Sequence, residues 1–513
     1  MSPTRVLPTC ILAAAAFAAQ ADVKIPTLFT EHMVLQQGKP LQFWGWADKD
    51  ESVTVELNGI KSTVTPGSSG RWQATLPARK AGGPYKLEFR ARNTIAYTDV
   101  MVGEVWICSG QSNMEWPLGS SFQAQKDIAA SANPMIRLFT VPKLKAESPV
   151  SDVKGSWQVA GPETVPGFSA VGYYFGRDLQ KARGVAIGLI HTSWGGSPAE
   201  VWMREEVLTS NPRYKAEIMD TYAPQRERFE QALAAWTKES AAAKAEGKPF
   251  TKGRPNAGWR PAELYNGMIA PLIPYGIAGA IWYQGESNAG RAEQYRSLYT
   301  DMIRNWRADF GQGDFTFLGV QLAPFDGSRR RSLNEITATP VESNWAELRE
   351  AQSLSTTALP NVGLAVITDV GHKDDIHPTV KEPVGARLAL AARKIAYKEA
   401  ITASGPVYKA MTSAGGKIEL TFDNVGKGLE FQGGRGMGFA ICGEDRKWVW
   451  ADAELAGLIG KTKVVVSSPQ VPNPVAVRYG WSDFPFVNLW NKNGLPASPF
   501  RTDDFPMITA PKK

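Results

Sequence analysis

Ser112 is a candidate nucleophile, because it follows a glycine turn at the end of an apolar run. The run Val102–Ile107 leads directly into the segment CSGQSNM at 108–114. A strand, a tight turn, a serine and a helix in this order lift the serine hydroxyl above a sheet and aim backbone N–H groups at developing negative charge. The pattern predicts acyl transfer through a serine, and the competing interpretation is a plain helix N-cap.

A base for this serine has few sources, because the 513-residue chain contains only 4 histidines. His377 lies in the segment GHKDDIHP at 371–378, three residues after Asp374. On one turn, this spacing lets the carboxylate accept Nδ1–H and leaves Nε2 free as a base. We expect Pro378 to begin the next helix, since proline suits the first helical position. We expect His191, at the end of another apolar run, to be structural.

Groups that could stabilise an oxyanion follow two further apolar runs. The segment HTSWGGS at 191–197 contains the adjacent glycines Gly195 and Gly196, which permit close approach of a backbone N–H. The segment WYQGESNA at 282–289 carries side-chain amides at the end of a third run, where a buried amide is a good donor.

Ser287 is a second candidate nucleophile, because GESNA at 285–289 nearly fits the G-x-S-x-G pattern. We rank it below Ser112, since the neighbouring Glu286 would be a poor electrostatic setting for an oxyanion. Together, a serine, a glycine donor, an amide donor and an Asp/His pair form a complete acyl-transfer set, with no metal or cofactor required.

These residues must come together at one edge of a sheet. The alternation of predicted strands and helices between residues 101 and 400 indicates such a sheet. Apolar runs alternate there with helical patterns, which predicts a parallel sheet with helices on both faces. Functional sites of such sheets lie at the carboxyl ends of the strands. A polar helical insertion occupies about 212–246. The runs are Val102–Ile107, Val185–Ile190, Ile277–Tyr283, Phe315–Gln321 and Gly363–Thr368.

The sequence on both sides of this region predicts mainly β-strands. Short alternating runs with turn signals over 22–100 predict a sandwich-like module, and 401–513 predicts a second one or strands that complete the first. Residues 1–21 read as a cleavable signal peptide, with Arg5 before an apolar stretch and AQA at 19–21, so we expect a periplasmic or secreted protein. No other segment reaches a membrane-spanning length.

The net charge and the cysteine content argue against a nucleic-acid-binding protein and against a disulfide bond. The net charge of +7 is mild and dispersed, which argues against a nucleic-acid partner. Cys108 and Cys442 remain after removal of the signal peptide, and their apolar surroundings favour two buried free thiols over a disulfide.

Four motifs in order, GQSNM, SWGG, WYQGESNA and DIHP, resemble the sialate O-acetylesterase family, a branch of the SGNH hydrolases. They are also similar to acetyl esterases that act on plant polysaccharides such as xylan and xyloglucan. The resemblance extends over about residues 23–510. It implies a flavodoxin-like α/β/α SGNH hydrolase domain with accessory β-sandwich or jelly-roll-like domains. It further implies an O-acetylated carbohydrate substrate and removal of acetyl groups without a metal.

Carried over to this chain, the resemblance implies that Ser112 is the nucleophile and His377 the base. The oxyanion hole would combine the Ser112 N–H, a Gly195 or Gly196 N–H, and the side-chain amide of Gln284 or Asn288, of which we prefer Gln284. The spacing favours Asp374 as the acid that orients His377, whereas the DIHP string contains Asp375, and both remain candidates.

Two other readings are a non-catalytic carbohydrate-binding protein and an α/β-hydrolase-type lipase or esterase. The high tryptophan content, 17 residues, slightly favours the first. The second usually has its acid far before the histidine in sequence, unlike the acid three residues before His377.

Overall fold

The computed structural model describes residues 22–328, 331–457 and 461–511. The signal peptide predicted at 1–21 lies outside the described residues. The amino-terminal part consists of strands β1 (Val34–Gln36), β2 (Leu41–Trp46), β3 (Val53–Leu57), β4 (Ile60–Val64), β5 (Arg71–Leu76), β6 (Gly82–Arg90) and β7 (Thr94–Gly110).

The central part alternates strands and helices, as its sequence predicts. Its elements are α1 (Ser112–Glu115), α2 (Ala124–Ala129), β8 (Asn133–Thr140), β9 (Trp157–Ala160), α3 (Ala170–Arg183), β10 (Ile187–Ser193), α4 (Glu205–Ser210), α5 (Pro212–Tyr214), α6 (Asp220–Ala245), β11 (Gly279–Tyr283), α7 (Ala292–Phe310), β12 (Thr316–Val320), α8 (Leu333–Ala338), α9 (Asn344–Ala358), β13 (Val362–Ala365) and α10 (Glu382–Ile395). Short 3₁₀ or π segments are Leu118–Ser120, Ala199–Trp202, Lys215–Met219, Tyr265–Ile269, Ala270–Leu272 and Glu286–Arg291.

The carboxyl-terminal part is again all β. Its strands are β14 (Val407–Ala414), β15 (Lys417–Asp423), β16 (Leu429–Phe431), β17 (Phe439–Cys442), β18 (Val449–Trp450), β19 (Asp452–Ala456), β20 (Lys463–Ser467), β21 (Ala476–Tyr479), β22 (Leu489–Asn491), β23 (Leu495–Pro496) and β24 (Phe500–Arg501).

The central sheet has the order β13-β12-β11-β7-β10-β8, all parallel, with β9 antiparallel at the edge. The five strands from the predicted apolar runs therefore follow the flavodoxin-like order 2-1-3-4-5, with β7 as the first strand. Strand β8 was not predicted, because its apolar run is interrupted by Arg137, a buried arginine.

Alternate residues of β7 enter two different cores, because successive strand side chains point to opposite faces. Val105 and Ile107 belong to the layer that contains α7 and α9, whereas Trp106 and Cys108 belong to the layer that contains α3 and α10. The sheet is thus covered on both faces, and the α/β/α fold class is confirmed.

Strand β7 also joins the amino-terminal strands to the central sheet. Its first half pairs antiparallel with β6, and its second half, from Glu104 onward, pairs in parallel with β10 and β11. The boundary predicted at residue 100 therefore falls inside a continuous strand. The amino-terminal module shares one hydrophobic core with the α7 and α9 layer.

The carboxyl-terminal strands form sheets of their own around a separate core. The β14-β15-β20-β19 sheet and the β18-β17-β21-β24 sheet contribute side chains to the same cluster, as in a β-sandwich. Fully buried Arg349 of α9 donates hydrogen bonds to the carbonyls of Leu322 and Ser482, which ties this module to the central sheet. Helix α6 has no buried residue, so the predicted helical insertion lies on the surface.

Candidate active site

Ser112 and His377 meet at the carboxyl end of the central sheet, with Ser112 Oγ 2.8 Å from His377 Nε2. Ser112 is the first residue of α1, whose N-cap position is Gln111. The N-cap interpretation of Ser112 is therefore wrong. The turn requires glycine at position 110 for two reasons. Gly110 has a φ of +136°, and a Cβ added there would lie 2.2 Å from the Tyr283 carbonyl oxygen.

His377 lies in an irregular segment before α10, which begins at Glu382. The expectation that Pro378 begins this helix is wrong: the helix begins at Glu382, and the proline in its first turn is Pro383. The imidazole of His377 stacks on the indole of Trp116, with ring centroids 5.6 Å apart and planes inclined by 21°. This stacking fixes the ring plane while Nε2 points at Ser112.

The two candidate acids have different surroundings. Asp375 Oδ1 accepts a hydrogen bond from the His377 backbone N–H at 2.9 Å and lies 3.8 Å from His377 Nδ1. Asp374 forms an ion pair with Lys373, and its side chain is about half exposed. The distance of 3.8 Å is longer than a hydrogen bond, and such contacts often shorten only when substrate binds. Of the two acids, Asp375 is the one in an ion-pair contact with the imidazole.

The glycine loop lies directly beside the serine. A Cβ added to Gly195 would be 3.2 Å from the Ser112 Cβ. The Gly195 N–H donates to Glu115 Oε2 at 2.7 Å, and Glu115 in turn pairs with Lys143 at 2.5 Å. Within the described part of the chain, the backbone N–H groups of Ser112 and Gly196 donate to no protein acceptor. These two amides are therefore available to an oxyanion, whereas the Gly195 amide is occupied.

The two candidate side-chain amides are both buried and bonded to each other. Gln284 Nε2 donates to Asn288 Oδ1 at 2.7 Å and to the Ser197 carbonyl at 3.2 Å, which uses both of its N–H groups. Asn288 Nδ2 donates to Glu200 Oε2 at 3.0 Å and so keeps one N–H. The Glu200 carboxylate can only accept a hydrogen bond, so it must face Nδ2 of Asn288. Oδ1 of Asn288 therefore faces the Gln284 amide, which donates to it.

Ser287 is exposed and has a different partner. Its hydroxyl donates to the Gly196 carbonyl at 3.0 Å. The hydroxyl is thus bound to a backbone acceptor, whereas the Ser112 hydroxyl contacts an imidazole. His191 Nε2 lies 2.5 Å from Ser193 Oγ, and burial lowers the pKa of His191 to about 4.

Three residues at this edge, of which Asn113 and Lys381 are buried and Glu286 is partly buried, were not singled out from the sequence as functional. Asn113 accepts a hydrogen bond from Lys381 Nζ at 2.5 Å and donates to Glu286 Oε1 at 2.7 Å. Burial lowers the pKa of Lys381 to about 7 and raises the pKa of Glu286. The GQSNM motif contains Asn113, but no spacing connects it to Lys381, which is 268 positions away.

The two cysteines are buried and free, as predicted. Burial also raises the pKa of the Cys108 thiol far above its usual range. In the described ranges, no helix is long and apolar enough to cross a membrane. No group of three or more His, Cys, Asp or Glu side chains in these ranges is arranged to hold a metal ion.

A fold with a Ser/His pair at the carboxyl ends of parallel strands is typical of ester hydrolases, and comparisons with known proteins agree. The family model described as "Carbohydrate esterase, sialic acid-specific acetylesterase" matches residues 102–241 and 250–394. The sialate O-acetylesterase of Rattus norvegicus is 29% identical over 549 aligned residues, covering 97% of this chain and 97% of that protein. The Homo sapiens sialate O-acetylesterase is 27% identical, covering 89% and 88%.

A solved structure is also similar. The crystal structure of a carbohydrate acetylesterase from Xanthomonas citri matches with a TM-score of 0.80 and 38% identity, covering 94% of this chain and 100% of that chain. The chain therefore belongs to the sialic acid-specific acetylesterase family of carbohydrate esterases, and it is a carboxylic ester hydrolase. The resemblance derived from the four motifs is confirmed.

Proposed function

We propose that this esterase is a serine carbohydrate O-acetylesterase of the SGNH type, which removes acetyl groups from sugar hydroxyls through an acetyl-serine intermediate. The observation that carries the proposal is the contact of 2.8 Å between Ser112 Oγ and His377 Nε2, two residues 265 positions apart in the chain. A hydroxyl in contact with an imidazole nitrogen is the minimum arrangement for nucleophilic catalysis by serine.

In the first half of the reaction, Ser112 Oγ attacks the acetyl carbonyl carbon while His377 Nε2 takes the hydroxyl proton. The tetrahedral intermediate then collapses, and His377 returns this proton to the departing sugar oxygen. In the second half, water attacks the acetyl-serine while His377 takes a proton from that water. His377 then returns this proton to Ser112 Oγ as the bond between Oγ and the acetyl carbon breaks, and acetate leaves. Asp375 stabilises the imidazolium and orients the ring, with Asp374 as the alternative acid.

The negative oxygen of each tetrahedral intermediate is bound by N–H groups that have no other partner. The backbone amides of Ser112 and Gly196 fit this role, since both are unoccupied in the described chain and flank the nucleophile. Asn288 is the better third donor, because it keeps a spare N–H that Gln284 lacks. The Gly195 amide instead positions the loop through its bond to Glu115.

The leaving group is a sugar hydroxyl, either of sialate or of a plant cell-wall polysaccharide such as xyloglucan or xylan. The sialate O-acetylesterases and the carbohydrate acetylesterase to which this chain is similar support a sugar ester. Beside Gly195, the half-buried indoles of Trp194 and Trp259 pack edge to face at 5.6 Å, and such aromatic surfaces suit sugar rings.

Acetate release tests the substrate class. The purified protein is incubated side by side with O-acetylated sialic acid, acetylated xylan and acetylated xyloglucan, and free acetate is measured. We expect release from at least one of these glycans and little hydrolysis of long-chain esters. Hydrolysis of long-chain esters with no acetate released from any glycan would contradict the proposal and favour a lipase.

We also propose that the protein is exported, on the basis of Arg5, the apolar stretch after it and the AQA pattern at 19–21. Cleavage after Ala21 would make Asp22 the first residue of the mature chain. Amino-terminal sequencing of the protein expressed from its full-length sequence tests this directly, since retention of Met1 would contradict it.

A further inference from the structure

Lys381 is a buried lysine at the candidate active site, with 1% of its surface exposed. Its Nζ donates to Asn113 Oδ1 at 2.5 Å and lies 5.4 Å from the centroid of Tyr283 and 5.7 Å from that of Trp116. A buried ammonium is costly unless it is paired, so this position calls for an explanation. The negative charges of Glu286 and Asp375 attract it.

Asn113 joins the two loops that carry the reacting side chains. It follows Ser112 directly in α1, and its Nδ2 donates to the carbonyl of Ile376, the residue before His377, at 3.0 Å. The same Nδ2 donates to Glu286 Oε1 at 2.7 Å. One amide side chain therefore links the nucleophile turn, the histidine loop and the segment after β11.

The orientation of this amide depends on its two charged neighbours. An ammonium group has only donors, and a carboxylate has only acceptors. Lys381 therefore requires Oδ1 of Asn113, and Glu286 requires Nδ2, so a flip of the amide would break both bonds. With the amide fixed, its second N–H must point at the Ile376 carbonyl.

We propose that Lys381, Asn113 and Glu286 form a clamp that sets the position of the His377 loop relative to Ser112. The three are positioning residues, because they act through the backbone beside the reacting side chains. This inference depends on the proposed function, since it assumes that Ser112 and His377 react. A displacement of about 1 Å between reacting groups can lower a rate by about 100-fold, so a clamp of this kind has a measurable effect.

The test uses Lys381→Met, Asn113→Ala and Glu286→Gln in the full-length protein, with an aryl acetate as substrate. We expect kcat of Lys381→Met and Asn113→Ala to fall about 10- to 100-fold, with KM within about twofold of the wild type. Glu286→Gln keeps the shape of the side chain and an oxygen that can accept from Asn113 Nδ2. Its loss of kcat should therefore be smaller than that of Lys381→Met or Asn113→Ala.

Lys39→Met is the matched control. Lys39 is a partly buried lysine whose Nζ donates to the Ile277 carbonyl at 2.7 Å, at the opposite end of β11, and burial lowers its pKa as well. Its substitution should lower the thermal midpoint without changing kcat. If Lys381→Met does not fold, kcat of Glu286→Gln and of Asn113→Ala is compared with kcat of Lys39→Met instead.

Three results would overturn the clamp: an unchanged kcat in the folded variants, a loss confined to KM, or an equal loss of kcat in Lys39→Met. Ser112→Ala, measured in parallel, separates the two proposals. An active Ser112→Ala would contradict the proposed function itself, whereas an inactive Ser112→Ala beside a fully active Lys381→Met would contradict the clamp alone.

Discussion

The Gly195 backbone N–H donates to Glu115 Oε2 at 2.7 Å, and Glu115 lies on the same short helix as Ser112. The helix that presents Ser112, the proposed nucleophile, thus also holds the glycine loop. Because Gly195 is bound in this way, the peptide that follows it is fixed, and the Gly196 N–H remains available. A single carboxylate therefore connects Ser112, the proposed nucleophile, with the loop that carries the proposed oxyanion donor Gly196.

Glu115→Ala should therefore lower kcat by about tenfold, because the Gly196 amide loses its fixed position. Loss of an oxyanion donor outright costs about 100- to 1,000-fold, so a loosened donor should cost less. Lys143→Met and Lys145→Met form a matched pair, since both ammonium groups lie over Trp194 but only Lys143 pairs with Glu115. We expect Lys143→Met to have the larger effect. A higher kcat in Glu115→Ala would mean that Glu115 instead blocks the donor.

Asp375→Asn should reduce kcat more than Asp374→Asn. The carboxylate of Asp375 is the one near Nδ1 of His377, whereas that of Asp374 pairs with Lys373. Loss of the orienting acid lowers kcat by up to about 10⁴-fold in serine triads, and the longer contact here predicts a smaller loss. Steady-state kinetics of the two variants on one aryl acetate decides between them, and a larger loss in Asp374→Asn would favour the acid chosen by sequence spacing.

Substitution of the two buried amides should affect kcat to different extents. Asn288→Ala removes the spare N–H, so kcat should fall about 100-fold. Gln284→Met keeps the length of the side chain but leaves the Ser197 carbonyl and the Tyr295 hydroxyl without their partner. Its free energy of unfolding, measured in urea, should fall by about 2–3 kcal/mol. A greater loss of kcat in Gln284→Met than in Asn288→Ala would make Gln284 the donor.

His191 should make the protein less stable in mild acid. Its pKa is lowered from 6.5 to about 4 by burial, so the unfolded chain binds a proton at a higher pH than the folded chain. The contribution of the neutral, buried His191 to the free energy of unfolding is therefore fully present above pH 6.5. It is lost as the pH falls towards 4, by up to about 3 kcal/mol. In urea unfolding at several pH values, His191→Phe should lack this part of the acid dependence. An identical pH dependence in both proteins would contradict the assignment.

Much of the fold could be predicted, because the apolar runs are long and their order is regular. The five runs became β7, β10, β11, β12 and β13 in a parallel sheet. Strand β8 was missed, since buried Arg137 breaks its apolar pattern and finds an ion-pair partner, Asp99, on β7. Such a partner lies 38 residues away in sequence and is visible only in the folded chain.

The site could be predicted where residue type and chain order suffice. Ser112 follows the end of β7 closely and His377 lies in the segment that connects β13 to α10, so their convergence at the carboxyl ends of the strands follows from parallel topology. The choice between Asp374 and Asp375 depends on how an irregular loop turns, and local spacing does not determine this. The clamp around Asn113 depends on Lys381, whose burial results from the packing of α10 against the sheet and has no local sequence signal.

The most direct test of the central claim compares Ser112→Ala with Ser287→Ala on an aryl acetate. Both serines follow strand ends, but only Ser112 contacts an imidazole, whereas Ser287 donates to the Gly196 carbonyl. We predict that Ser112→Ala abolishes acetate release, while Ser287→Ala keeps most of it and both variants remain folded. Normal acetate release by Ser112→Ala, or a loss found only in Ser287→Ala, would contradict the mechanism.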